Sequence, residues 1–118
     1  MDQKFREKEL RREIVDLKDW DSRKYNYFVD NFYVLRSALR YFAVKKGVSF
    51  TSSKVAENFP LPVTVAGSCL TVLNKLDVVD VRTVSSSPDR YLPEKVDLDK
   101  LAEVEKVLKE NHEIEDFK

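Results

Sequence analysis

The stretch that decides the fold is Leu61–Val81, with the sequence LPVTVAGSCLTVLNKLDVVDV. Its apolar residues recur at the spacing of an α-helix, with Ala66, Leu70 and Leu73 on one stripe. The polar residues recur at i, i+4, i+7 and i+11, and therefore share one face that points away from the core. These polar residues are Thr64, Ser68, Thr71 and Lys75. The sequence predicts a helix with a narrow hydroxyl strip, followed by a tight turn and a β-strand.

The residues before this helix predict a helix-turn-helix. Thr51 is a suitable N-cap for a short helix at residues 52–58, because its hydroxyl can accept a backbone N–H. Pro60-Leu61-Pro62 then interrupts helical geometry, and Pro62 is expected in the first turn of the next helix. Further upstream, Asp21-Ser22 offers a side-chain cap for one continuous apolar helix that is predicted to run to about Lys46. Val48–Phe50 is expected to form a short strand.

A β-hairpin and a last helix are expected after the central stretch. Val78–Val84 is rich in β-branched residues, residues 85–89 are turn formers, and Arg90–Leu92 begins a returning strand. Asp97–Asn111 has the pattern of an amphipathic helix. Its apolar face needs cover, either from the charged N-terminal helix or from a second copy of the chain.

Composition limits the classes of protein that fit. A chain of 118 residues with 42% hydrophobic residues can bury one core with appended helices. Lys+Arg and Asp+Glu both number 21, so the total charge gives no general attraction to nucleic acid or membrane. The basic excess lies in residues 1–93 and the acidic excess in residues 94–118. High charge with few Gly, Cys and Met is typical of thermophiles.

The sequence contains few of the residues and motifs that catalytic and metal-binding sites use. The single cysteine, Cys69, is expected to be a small buried hydrophobe, which fits a reducing cytoplasm and excludes an internal disulfide. One histidine, His112, stands too far from Cys69 for a recognisable zinc spacing, and the two glycines form no phosphate loop. We therefore expect no enzyme activity, no cofactor, no metal and no membrane span.

The segment from Gly67 to Val79 resembles the recognition helix and wing entry of winged helix-turn-helix transcriptional regulators of the ArsR and MarR type. Those families place leucines where Leu70 and Leu73 stand, followed by a tight turn and a hydrophobic strand. Asp77 departs from the pattern, because the family usually has glycine there, although aspartate tolerates the left-handed conformation better than most residues.

The resemblance extends over Tyr27 to Pro93 and implies a mostly helical α+β fold, a winged helix-turn-helix with extra N-terminal and C-terminal helices. The expected organisation is a charged helix at 1–20, the winged helix-turn-helix domain at 21–93, and a helix with an acidic tail at 94–118.

The function that the resemblance implies is sequence-specific binding of double-stranded DNA by a transcriptional regulator. The recognition helix, Pro62 to Leu76, would enter the major groove, and the wing, Val78 to Leu92, would lie on the flanking backbone or minor groove. Gly67 would allow either close approach to DNA or tight packing against a neighbouring helix. A homodimer through the terminal helices is expected. The implied DNA-binding residues are Ser52, Ser53, Lys54, Thr64, Gly67, Ser68, Thr71, Lys75, Arg82 and Arg90.

A winged-helix protein-interaction module within a larger assembly is the alternative. Basic and acidic residues are equally numerous between Thr51 and Pro93, so the expected DNA footprint is not strongly cationic. In that case the hydroxyl strip and exposed tyrosines would meet a protein partner. The strip would also fit an ordinary solvated helix face.

Overall fold

The computed structural model describes residues 3–82 and 89–115, and within them the fold is mostly helical with one small antiparallel sheet. The α+β class predicted from the sequence is confirmed. Thr83 and Val84 of the expected strand and the expected loop at residues 85–88 lie outside the described residues. The elements are α1 Gln3–Trp20, α2 Ser22–Asp30, α3 Phe32–Ala43, α4 Ser52–Asn58, α5 Val63–Lys75, β1 Val81–Arg82, β2 Arg90–Tyr91, a 3₁₀ turn Pro93–Lys95, and α6 Leu98–Glu110.

Side-chain caps fix the starts of three helices. The Asp21 carboxylate accepts the Lys24 N–H at 3.1 Å, and the Thr51 hydroxyl accepts the Lys54 N–H at 3.2 Å, as the sequence predicted. At α6, Asp97 accepts from the Lys100 N–H at 2.9 Å. Pro62 differs slightly from its predicted place, because it is the extended N-cap residue of α5 rather than part of its first turn.

The helix predicted from Asp21 to Lys46 is divided at Asn31, so that prediction was wrong in its continuity. Asn31 has φ −114° and ψ 19°, and its side-chain amide donates to the Tyr27 carbonyl at 2.9 Å. Asparagine competes with helical hydrogen bonding in this way. The break leaves the apolar face intact, since Phe28 and Phe32 remain in edge-to-face contact at 5.6 Å between ring centroids.

The sheet is smaller than the sequence predicted. Val78 and Val79 are buried but precede β1, and the Val78 carbonyl accepts the Asp97 N–H at 2.8 Å instead of joining a strand ladder. The strand expected at Val48–Phe50 is reduced to one antiparallel bridge between Phe50 and Tyr91, with backbone hydrogen bonds of 3.0 and 2.8 Å. The bridge still ties Phe50, two residues before the start of α4, to the hairpin.

The turn after α5 has the geometry that the sequence predicted. Asp77 has φ 60° in the left-handed region, where the resembled families usually have glycine. Its N–H donates to the Asn74 carbonyl at 3.1 Å, and the Val78 N–H donates to the Leu73 carbonyl at 2.9 Å. These two bonds form a Schellman motif, which closes α5 and directs the chain into the hairpin.

A second Schellman motif closes α6 at His112, which also has φ 60°. The left-handed conformation costs an L-residue about 1–2 kcal/mol, but glycine adopts it without that cost. We expect His112→Gly to raise the free energy of unfolding by about 0.5–1 kcal/mol, measured by chemical denaturation. Asn111→Gly is the control, because Asn111 has φ −84° and should gain nothing. Equal gains for both variants would contradict this account.

The terminal helices pack on each other within one chain. Leu10 and Ile14 of α1 and Val104 and Leu108 of α6 are buried in the common core. Ion pairs flank the apolar contact, including Arg6 with Glu103 at 3.0 Å, Lys106 with Glu7 at 2.6 Å, Lys100 with Glu13 at 3.8 Å, and Arg11 with Glu110. The apolar faces that were expected to meet across a dimer are therefore already buried in the monomer.

A less exposed ion pair joins α3 to α6. Arg36 donates to Glu105 at 2.9 Å, and both side chains are 14% exposed. Burial acts to raise the pKa of Glu105, but hydrogen bonds from Lys109 and Arg36 outweigh it, so the pKa lies below its ordinary value. The carboxylate therefore stabilises the fold above its unfolded-state pKa, and this contribution is lost as pH falls through the lower folded-state pKa.

We expect Glu105→Gln to lower the free energy of unfolding at pH 7 by about 1–2 kcal/mol, because the charge-assisted hydrogen bonds are lost. Urea titrations of both proteins should show this difference shrinking as pH falls below about 4.5, where the carboxyl is protonated first in the unfolded state and then, at lower pH, in the folded state. If the difference in free energy of unfolding stayed constant down to pH 3, the destabilisation would come from altered packing and not from the lost charge.

Among residues 3–82 and 89–115, no helix combines the length and the apolar character that a bilayer crossing requires.

Candidate nucleic-acid interface

The hydroxyl strip of α5 lies in an open groove. Thr64 is exposed and Ser68 and Thr71 are half-buried, and all three line the groove together with Gly67. The opposite face of α5 carries buried side chains, among them Cys69 and Leu73. Three of the four polar residues that the sequence placed on one face are thus brought together in an accessible concave surface.

Three neighbouring elements complete the groove. Ser52 at the start of α4, Lys24 of α2, and Asp89 and Tyr91 of the hairpin line it with the α5 residues. A Cβ built on Gly67 would lie 3.8 Å from the Ser52 Cβ, which is an ordinary van der Waals contact. Alanine would therefore fit at this position, and the packing of α5 against α4 does not require glycine.

The hydroxyl groups differ in what they offer a ligand. The Thr71 hydroxyl donates to the Gly67 carbonyl at 3.0 Å, so its oxygen can offer a ligand only acceptor lone pairs. Ser52, Thr64 and Ser68 add three more hydroxyls that can donate or accept. A surface with several short hydroxyl side chains can contact the edges of bases as well as phosphate oxygens.

Charges of both signs border the hydroxyls. Lys24 and Asp89 both line the groove, so these two residues together give it no net charge. Tyr91 is buried, and burial together with the Asp89 charge raises the pKa of its phenol. The Tyr91 hydroxyl is therefore a neutral hydrogen-bonding group at all physiological pH values.

Two arginines lie on neighbouring strands of the hairpin. Arg82 of β1 and Arg90 of β2 are directly opposite each other in the antiparallel register, and both are exposed. Neither takes part in the ion pairs found among the described residues. Like charges placed directly opposite across a strand pair repel each other, and an anion bound between them would relieve that repulsion.

Lys75 does not join the groove of the other three strip residues. Its ammonium lies 4.3 Å from the centre of the Trp20 ring, and Lys24 approaches the same ring at 5.4 Å. Lys75 borders a separate groove with Glu13 and Asp16 of α1. The continuous quartet predicted from the sequence is therefore divided, because the end of α1 contacts the last turn of α5 through a cation–π interaction.

Ser53 and Lys54 are exposed on α4 but do not line the groove. The Lys54 N–H is used by the Thr51 cap, and its ammonium lies 3.6 Å from Glu57. Their predicted phosphate contacts would therefore use side chains at the rim rather than the backbone N–H of Lys54.

The described residues offer no site for metal chemistry, since they contain no group of three or more His, Cys, Asp and Glu side chains that could hold an ion. Burial raises the pKa of the Cys69 thiol to about 12. This thiol is a packed side chain and a poor nucleophile.

Lys24 and Asp89 were missed by the sequence reasoning. Lys24 lies in the first turn of α2, and only the packing of α2 against α5 brings it to the groove. No periodicity or motif marks it. Asp89 belongs to the turn residues of the hairpin, and a carboxylate beside the returning strand was a weak signal that the hairpin would present both signs of charge.

No family model, curated protein or solved structure matches this chain.

Proposed function

We propose that the chain is a sequence-specific double-stranded DNA-binding protein that regulates transcription. In this proposal α5 enters the major groove, and the hairpin with Arg82 and Arg90 contacts the flanking backbone or minor groove. The single observation that supports it most is the open hydroxyl-lined groove on α5, with two opposed arginines on the adjacent hairpin. Small hydroxyl side chains do not prevent the helix from approaching base edges closely.

The hydroxyl side chains and the basic side chains would have separate roles in binding DNA. Thr64, Ser68 and Thr71 would contact base edges, and Asp89 would accept a hydrogen bond from an amino group such as that of cytosine. Arg82, Arg90 and Lys24 would bind phosphates and so fix the register without reading sequence. Phosphates bound by the arginines and by Lys24 would leave the hydroxyl side chains of the groove to base edges.

A homodimer that reads two half-sites belongs to this proposal. One chain with about four phosphate contacts would lose on the order of 10²-fold in affinity between roughly 50 and 200 mM salt, and such a monomer would bind weakly at physiological salt. Two copies on one duplex would double the number of phosphate contacts, and the second copy would recognise a second half-site.

Selection from a library of random DNA duplexes, followed by fluorescence anisotropy, tests the proposal. We expect an enriched sequence to bind more tightly than an unselected duplex by at least about 10³-fold, with affinity rising as salt falls. Enrichment of no sequence, together with no binding at about 50 mM salt, would overturn the proposal.

A protein-interaction module within a larger assembly is the second candidate. Asp89 in the groove favours it, because a carboxylate there repels phosphates and would suit a partner with basic side chains. The exposed ring of Tyr41 adds a second contact surface of the kind that protein interfaces use. Absence of DNA binding at low salt would favour this candidate over the regulator.

A further inference from the structure

A half-exposed tryptophan at the end of α1 contacts two lysines from different helices. The Trp20 side chain is 46% exposed. The ammonium of Lys75, in the last turn of α5, lies 4.3 Å from the centre of the indole ring. The ammonium of Lys24, in the first turn of α2, lies 5.4 Å from the same ring. Both distances are in the range of a cation–π interaction, so one ring holds two positive charges near each other.

The two ammonium groups are held by a ring rather than by carboxylates. Neither takes part in the ion pairs found among residues 3–82 and 89–115. Glu13 and Asp16 border the groove of Lys75, but the Glu13 carboxylate forms its ion pair with Lys100 at 3.8 Å. A cation–π contact does not neutralise the charge of an ammonium and does not use up all of its three N–H donors. Both lysines can therefore still bind a phosphate.

The ring also determines where these charges lie relative to α5. Lys24 lines the hydroxyl groove together with Ser68 and Thr71. Lys75 follows Thr71 by four residues and so stands about one helical turn further along the same face. A lysine ammonium on a four-carbon chain loses rotational freedom when it binds a phosphate, and a contact that already restricts the chain reduces this loss. The ring is therefore placed to preorganise two phosphate contacts beside the groove.

We propose that Trp20 is a positioning residue of the DNA-binding surface, which holds Lys24 and Lys75 where they bind phosphates beside the α5 groove. This inference rests on the proposed function. Trp20 acts through the two lysines and need not contact DNA itself. The appended helix α1 thereby takes part in DNA binding, because the ring belongs to α1 and the ammonium groups belong to α2 and α5.

Two substitutions of the tryptophan separate its aromatic face from its bulk. Trp20→Leu removes the ring but keeps an apolar side chain, whereas Trp20→Phe keeps an aromatic face for the ammonium groups. Tyr41→Leu is the matched control, because the Tyr41 ring is 40% exposed, lies 4.1 Å from the Lys45 ammonium and does not line the α5 groove. Far-ultraviolet circular dichroism and urea titration check that each variant is folded.

Fluorescence anisotropy with the selected duplex gives the affinities. Near 0.1 M salt, Trp20→Leu is expected to bind about 10-fold more weakly than wild type, because two lysine side chains must then be ordered on binding. Trp20→Phe should stay within about threefold of wild type, since phenylalanine also attracts cations, though less strongly than tryptophan. Tyr41→Leu should change the affinity by less than about twofold, because Lys45 lies outside the groove.

A double-mutant cycle distinguishes positioning from a structural role. Lys24→Gln together with Lys75→Gln removes both ammonium groups and keeps good helix formers. Adding Trp20→Leu to this double variant should weaken binding by less than about twofold, because no ammonium is left for the ring to hold. A merely structural tryptophan would give the same loss in both backgrounds.

Three results would overturn the inference and leave the proposed function in place. These are a Trp20→Leu variant that binds the selected duplex as tightly as wild type, an equal loss with and without the two lysines, and an equal loss for Tyr41→Leu. A wild-type protein that selects no sequence and binds no duplex at about 50 mM salt would instead overturn the proposed function, and this inference with it.

Discussion

Replacing Arg82 and Arg90 together by alanine is expected to weaken binding of a selected DNA duplex by about 10²-fold near 0.1 M salt. The two guanidinium groups stand opposite each other on the hairpin, and they supply its positive charge among the described residues. Each phosphate contact releases counterions, so the slope of log K against log salt should become shallower by about 1.8 per chain. Anisotropy titrations at four or more salt concentrations measure both quantities.

The same double substitution should leave the fold as stable as before. Removing two like charges from opposite positions relieves a repulsion, which offsets the small loss of strand propensity in alanine. Urea titration is expected to give a free energy of unfolding within about 0.5 kcal/mol of wild type. Loss of DNA affinity without loss of stability separates a binding role of the arginines from a structural one.

Arg12→Ala with Arg40→Ala is the matched control for the hairpin variant. Both residues are exposed on helices, and the net charge changes by the same amount. This pair should weaken binding by less than about threefold and leave the salt slope nearly unchanged, because screened long-range attraction contributes little. Equal effects of the two double variants would mean that the hairpin makes no direct contact with DNA.

Much of the fold could be predicted because its determinants are local. The caps at Asp21 and Thr51, the apolar stripe of α5 and the left-handed turn at Asp77 each depend on a few neighbouring residues. The break at Asn31 was missed because the apolar spacing from Phe28 to Phe32 continues through it. A capping side chain can end a helix without disturbing the period of its buried face.

The features of the candidate site that were not predicted from the sequence depend on tertiary packing. Lys24 reaches the groove because α2 packs on α5, and Lys75 leaves it because Trp20 at the end of α1 attracts its ammonium. Hydrophobic periodicity assigns a residue to a face of its own helix, but it does not show which other helix covers part of that face. The sequence left open whether α1 or a second copy of the chain covers the apolar face of α6, and the structure shows that α1 covers it.

Ser68→Glu is expected to reduce the affinity for the selected duplex by about 10²–10³-fold, which is the second large effect. Ser68 lines the groove together with Lys24 and Asp89, so in the proposed complex a new carboxylate there would face the negative potential of DNA. Glutamate is a good helix former, and Ser68 is only half-buried, so α5 should remain folded. The measurement is anisotropy on the same duplex, with thermal unfolding to confirm stability.

Ser37→Glu introduces the same charge on the exposed side of α3, outside the groove, and should change DNA affinity by less than about threefold. Ser68→Ala adds a second comparison, because it removes one hydroxyl without adding charge and should cost about 1 kcal/mol or less in binding. If Ser68→Glu and Ser37→Glu weakened binding equally, the effect would be one of net charge. The α5 groove would then not be in contact with DNA, and a protein ligand would become the better explanation for its uncovered hydroxyls.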